Sequence, residues 1–175
     1  LATPMSIMVG VGKGAQQGIL IKNAESIERT EKITHLITDK TGTLTEGRPR
    51  VVEIIPDDGV NTDEVLKLAA AVEQYSEHPL ARAVVEKAKT TGADLPETHE
   101  FESLTGGGVT ATIGSDRIRV GKLDFLLESG VQNKTSLANK ADTLQARANT
   151  VIWVARNDLV IGIIAIADPI KSSSL

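Results

Sequence analysis

Apolar residues along the chain fall into short blocks whose spacing switches between the period of a helix and that of a strand. Leu1 to Gly12 (LATPMSIMVGVG) is apolar but far shorter than the roughly 20 residues needed to span a bilayer. It reads as a buried helix or as the tail of a membrane helix. Gly18 stops this segment before the run Ile19-Leu20-Ile21, and Asn23 caps a short helix through Arg29, with Glu25 in its first turn. Ile33 to Thr38 predicts a short strand running straight into Asp39, and Val51 to Ile55 another, followed by the turn Pro56-Asp-Asp-Gly59. Val65, Leu68, Ala69 and Val72 keep helical period in a helix opened by Thr62, Asp63 and Glu64 and ending near Tyr75. A second helix starts at Pro79 and ends before Gly92, making a hairpin with the first. Strands are predicted around Phe101, at Val109–Ile113 and at Arg117–Val120, then helices at Leu123–Glu128 and Leu137–Ala148. Two last strands, Thr150–Ala155 and Leu159–Ala167, flank the turn Arg156-Asn157-Asp158. The pattern is that of an α/β protein.

Composition narrows the function classes. The chain has 175 residues, no cysteine and a formal net charge of −4. Disulfide scaffolds, thiolate zinc sites and thiol catalysis are excluded. An acidic balance and only four aromatic residues (Tyr75, Phe101, Phe125 and Trp153) argue against nucleic acid as a partner, since neither a basic face nor stacking rings are on offer. His35, His78 and His99 lie too far apart in sequence to suggest a histidine metal cluster.

The chemistry is concentrated in Asp39-Lys40-Thr41-Gly42-Thr43-Leu44-Thr45. An apolar strand delivers a carboxylate at its C-terminal end, where ligands bind in open α/β sheets. Gly42 lets backbone amides approach an anion, and threonine hydroxyls add hydrogen bonds to phosphate oxygens. Asp39 can be a nucleophile that takes a phosphoryl group, a magnesium ligand, or both. Ser76-Glu77-His78-Pro79-Leu80 is either an ordinary helix start or a ligand site, and Gly106-Gly107-Gly108 either a flexible turn or a close backbone approach. Gly10-Val-Gly12-Lys13-Gly14 fails as a P-loop, because no Ser or Thr follows the lysine.

The heptad from Asp39 resembles the phosphorylation signature of the P-type ATPases, in which the Asp becomes an aspartyl phosphate during ion transport. Haloacid-dehalogenase-type phosphatases, a soluble alternative, place a second Asp two residues after the nucleophile as acid/base; here that position is Thr41. Ser-Glu-His-Pro-Leu is similar to the motif of the heavy-metal-transporting members, most like the copper exporters, with zinc, cadmium and silver pumps as alternatives. The resemblance implies ATP and Mg²⁺ as cofactors. It implies Asp39, Lys40, Thr41 and Thr43 as catalytic residues, with Asp39 and Thr41 in a partial magnesium site. Glu73, His78, Gly106, Gly108 and Gly121 would bind ATP. Where many members have Gly-Asn, this chain has Gly121-Lys122.

The same resemblance implies a fold: a nucleotide-binding domain, an antiparallel sheet flanked by helical hairpins, inserted into a partial haloacid-dehalogenase-like parallel α/β phosphorylation domain. Residues 1–30 would be the end of a membrane helix and its stalk, 31–49 the first part of the phosphorylation domain, 50–157 the nucleotide-binding domain and 158–175 a return strand. The expected partners are ATP, a transported metal ion, copper first, held by a membrane part outside this sequence, and the actuator domain of the same pump. The expected setting is a cytoplasmic loop of an integral membrane protein. The later Thr-Gly-Asp and Gly-Asp-Gly-x-Asn-Asp segments of the family do not occur in these 175 residues, so the chain alone is expected to bind ATP without turnover.

Overall fold

Strands Thr150–Arg156 (TVIWVAR) and Leu159–Ala167 (LVIGIIAIA) carry apolar residues at nearly every position, and the structure shows why. Both are central strands buried on both faces, so neither face has room for the polar half of an alternating pattern. The computed structural model describes residues 2–132 and 135–174. Contacts divide the chain into two units, residues 1–38 and 39–175.

The first unit holds two helices, α1 (Ala2–Gln16) and α2 (Ala24–Glu31). Asn23 caps α2, its side-chain oxygen accepting from the Ser26 N–H at 2.9 Å, and Glu25 pairs with Arg29 one turn on. Among the described residues no helix is long and apolar enough to cross a membrane.

The second unit is built on one six-stranded antiparallel sheet. Its strands in chain order are β1 (Arg50–Pro56), β2 (His99–Leu104), β3 (Gly108–Ile113), β4 (Asp116–Gly121), β5 (Thr150–Arg156) and β6 (Leu159–Ala167). Across the sheet they run β1-β6-β5-β4-β3-β2. The hairpin of α3 (Thr62–Glu73) and α4 (Pro79–Thr90) covers one face. Val65, Val72 and Val84 pack there against Val120, Val154 and Ile164. On the other face α5 (Leu123–Glu128) and α6 (Thr135–Ala146) bring Leu126, Leu137 and Leu144 against Trp153, Ile163 and Ala165. The odd and even positions of β5 thus feed two separate cores.

Two expectations are corrected. Ile33–Thr38 forms no strand: it joins no sheet among the described residues, and Leu36 and Ile37 stand 82% and 97% exposed. An extended segment is stable as a strand only where a neighbour takes its N–H and C=O groups. Leu159–Ala167 does not belong to a parallel sheet with the Asp39 segment. It pairs antiparallel with β1 from Arg50↔Ala167 to Pro56↔Gly162 and with β5 from Thr150↔Ile166 to Arg156↔Leu159. Its continuous apolar run reports burial on two faces, and carries no information on strand direction. Among the described residues the only parallel pairing is an isolated bridge between Gln132 and Leu159.

Candidate functional site

A cavity of about 590 Å³ opens between the α3–α4 connection and the β2–β3 turn. Glu73 ends α3, His78 caps α4, Gly106 to Gly108 form the turn into β3, and Gly121 ends β4. All of them line this one cavity, with Tyr75, Phe101 and Ile152 supplying much of its apolar wall. Its size is in the ordinary range for a small-molecule site. Nothing in the sequence pattern pointed to that wall: Tyr75 and Phe101 are 26 positions apart in the chain, yet their rings lie 5.6 Å apart and tilted by 44°.

His78 is held by the helix it starts. Its Nδ1 accepts the Leu80 N–H at 3.2 Å, which satisfies one of the orphan donors of the first turn. With Nδ1 used as an acceptor, the neutral ring carries its proton on Nε2, leaving an N–H donor at the exposed end. The capping role and a ligand role are therefore compatible, since they use different nitrogens.

Glu73 is 7% exposed, and burial pushes its carboxyl up to about 7, against which a hydrogen bond with Ser76 works only partly. In the unfolded chain the same group titrates near 4.5, so between those values the folded state holds the extra proton. Stability accordingly falls as pH rises from 4.5 to about 7, by an amount on the order of 3 kcal/mol at about 1.36 kcal/mol per pH unit. Glu73→Gln should flatten this dependence and be the more stable protein at pH 8. Urea unfolding of both proteins at pH 5 and pH 8 checks it; parallel pH profiles would contradict the burial argument.

The glycines divide by what surrounds them. Gly106 has φ +76° and nothing within 4 Å of where a Cβ would stand, so its conformation is what demands glycine. Gly108 and Gly121 face each other across β3 and β4. A Cβ on Gly108 would lie 2.3 Å from the Val120 carbonyl oxygen and 2.8 Å from the Phe125 ring, and one on Gly121 would lie 2.6 Å from the Gly108 Cα. Those two are required by the packing of strands beneath Phe125.

The Asp39 segment is a separate place in the same unit; among the described residues none of 39–45 lines the cavity. Asp39 is exposed and its Oδ1 accepts the Thr41 N–H at 3.4 Å. Lys40 to Leu44 make one wide turn, broken by non-helical angles at Thr41 and at Gly42, where φ is +75°. Thr41 and Thr43 are exposed, and the Lys40 side chain lies outside what the structure describes. A clasp from the far end of the chain holds this turn. The Gly42 N–H donates to the buried Thr45 Oγ1 at 3.1 Å, and the Thr45 hydroxyl donates to Asp168 Oδ2. The Asp168 carboxylate also accepts the N–H groups of Gly47 (3.2 Å) and Arg48 (3.0 Å), while Lys171 Nζ donates to the Gly42 carbonyl at 2.6 Å. Thr45 and Asp168 are 123 positions apart, and no spacing in the sequence announces the contact. Among the described residues no group of three or more His, Cys, Asp or Glu is placed to hold a metal ion.

The sequence profile of haloacid dehalogenase-like hydrolases matches residues 33–174. A copper-exporting P-type ATPase of Legionella pneumophila is 48% identical over 174 residues, covering 99% of this chain and 23% of that protein. The chain thus spans about a quarter of the length of such relatives. Among solved structures, a zinc-transporting PIB-type ATPase in its E2.Pi state superposes with a TM-score of 0.80 at 35% identity, covering 98% of this chain and 28% of that one. The N-domain of HMA8, a copper-transporting P-type ATPase, matches with a TM-score of 0.60 at 33% identity over 67% of this chain and 99% of that one.

Proposed function

We propose, for a chain that belongs to the haloacid dehalogenase-like hydrolases and among them to the heavy-metal P-type ATPases, that the cavity holds the adenosine end of ATP and that Asp39 accepts its γ-phosphoryl group. The parent would be an ATP-driven metal pump, copper being the first candidate cargo, and this chain part of its cytoplasmic machinery. The single observation that carries the reading is the convergence of Glu73, His78, Gly106, Gly108 and Gly121, from four separate segments, on one cavity.

The residues divide the work by chemistry. Tyr75, Phe101 and Ile152 give an apolar slot for a flat ring, and Glu73 and the His78 Nε2–H are the polar groups that orient it. Gly106 keeps its side of the rim free of a side chain. At the other site, one Asp39 carboxylate oxygen forms the bond to the γ-phosphorus as the bond to the β,γ-bridging oxygen breaks and ADP leaves. Thr41 and Thr43 sit in the turn where their hydroxyls can meet phosphate oxygens, and Lys40 adds a cation to the same turn. The clasp of Thr45, Asp168 and Lys171 holds that turn in shape. Residues 50–167 carry the nucleotide, and the turn 39–48 with 168–171 carries the acceptor.

Magnesium suits the oxygen donors of this turn, with Asp39 and Thr41 as its holders. When bound it neutralises charge on the phosphates. The actuator domain is a further expected partner.

Calorimetric titration of the chain with ATP tests the cavity. His78→Ala and His78→Asn should both weaken binding by roughly 1–2 kcal/mol, the worth of a lost polar contact. Only the Ala variant should also lose about 1 kcal/mol of stability, because Asn retains an oxygen able to cap α4. An Asn variant that binds ATP like the wild type would reduce His78 to a cap. Phosphate release is expected to stay below multiple turnovers throughout; sustained turnover would favour a self-sufficient phosphatase.

A further inference from the structure

Lys122 connects β4 to α5, and among the described residues it is the one Lys or Arg that lines the cavity. The other ionisable side chains facing that space are Glu73, Tyr75, Glu77 and His78. None of them offers a fixed positive charge, and two are acids. A nucleoside triphosphate carries about four negative charges, and without Lys122 it would meet a wall that is neutral or repulsive.

The position of Lys122 is set by its backbone. Its N–H donates to the Gly107 carbonyl at 3.0 Å, which anchors the residue against the glycine turn. Its side chain makes no capping bond to α5, is exposed, and forms no ion pair or hydrogen bond among the described residues. Lys122 also lines a neighbouring cleft of about 260 Å³ that carries Asp124 and Asp142. That acidic cleft would repel a phosphate chain, so the cation marks the boundary between a side that tolerates phosphate and a side that does not.

We infer that Lys122 is the specificity residue that reads the phosphate chain, so that the site prefers a nucleoside triphosphate to the uncharged nucleoside. The inference rests on the nucleotide reading of the cavity. Lysine suits such a role, because a compact charge on a flexible stem follows a mobile phosphate chain without demanding one geometry. The contribution is electrostatic and belongs to the phosphates alone, which separates it from packing.

The test compares ATP with adenosine on the wild-type chain, Lys122→Met and Lys122→Arg, by calorimetry with a chelator present to keep divalent cations out. Lys122→Met keeps most of the stem and removes the charge. It should weaken ATP binding about five- to tenfold at low salt and leave adenosine within about twofold. Lys122→Arg should recover most of the ATP affinity. Raising the salt to about 1 M, where the screening length shrinks to about 3 Å, should bring the Met variant and the wild type together. Equal weakening of ATP and adenosine would overturn the inference in favour of a structural role, as would unchanged ATP affinity in the Met variant. A wild-type chain that binds neither compound would instead overturn the nucleotide reading, and this inference with it.

Discussion

If Asp39 is the phosphoryl acceptor proposed above, Asp39→Asn in the pump of which this chain would be part should abolish the acid-stable phosphoenzyme formed from γ-labelled ATP. The expected loss is total, because an amide oxygen is too weak a nucleophile to form the acyl phosphate that a carboxylate forms. The substitution is nearly isosteric and Asp39 is exposed, so the turn should keep its shape. Its support comes from Thr45, Asp168 and Lys171, none of which is changed. Nucleotide affinity should survive as well, since no described residue of the Asp39 turn lines the cavity. Labelling followed by acid quench, with ATP titration on the same preparation, separates the two readouts. Undiminished labelling of the Asn variant would remove Asp39 from the role.

Gly108→Ala is the second large effect, and it falls on the fold. The new methyl would sit 2.3 Å from one carbonyl oxygen, 2.7 Å from the Gly121 Cα and 2.8 Å from the Phe125 ring. Two of those neighbours are backbone in a paired strand and cannot swing aside, so β3 and β4 must part or Phe125 must leave its seat. Overpacking of this kind costs on the order of 2–4 kcal/mol, a fall in Tm of about 5–15 °C for a domain of this size. Gly106→Ala makes the contrast. Its methyl meets nothing within 4 Å, and the cost is the left-handed backbone alone, about 1–2 kcal/mol. Melting curves of the two variants should therefore differ clearly. Similar small shifts for both would show that the strands relax more easily than the packing implies.

Local features were legible in the sequence because local forces set them. The caps at Asn23 and His78, the helical period of Val65, Leu68, Ala69 and Val72, and the turn Arg156-Asn157-Asp158 each depend on a few neighbouring residues, and the helices and paired strands of residues 50–167 formed close to where the pattern placed them. The family resemblance of the Asp39 heptad likewise needed no help from the fold. Features that depend on what lies across a gap were not legible. Whether Ile33–Thr38 becomes a strand depends on a neighbour to take its hydrogen bonds, and whether Leu159–Ala167 runs parallel or antiparallel depends on which strands flank it; apolar content is the same in either case. The sequence by itself determined the family and, within residues 50–167, the helices and the strands of the sheet. Tertiary structure decided that β6 lies between β1 and β5, that Tyr75 meets Phe101, and that Asp168 reaches back to Thr45. It also decided that Glu73 is buried deeply enough to hold its proton near neutral pH, because desolvation is a property of the packed surroundings and of no residue alone.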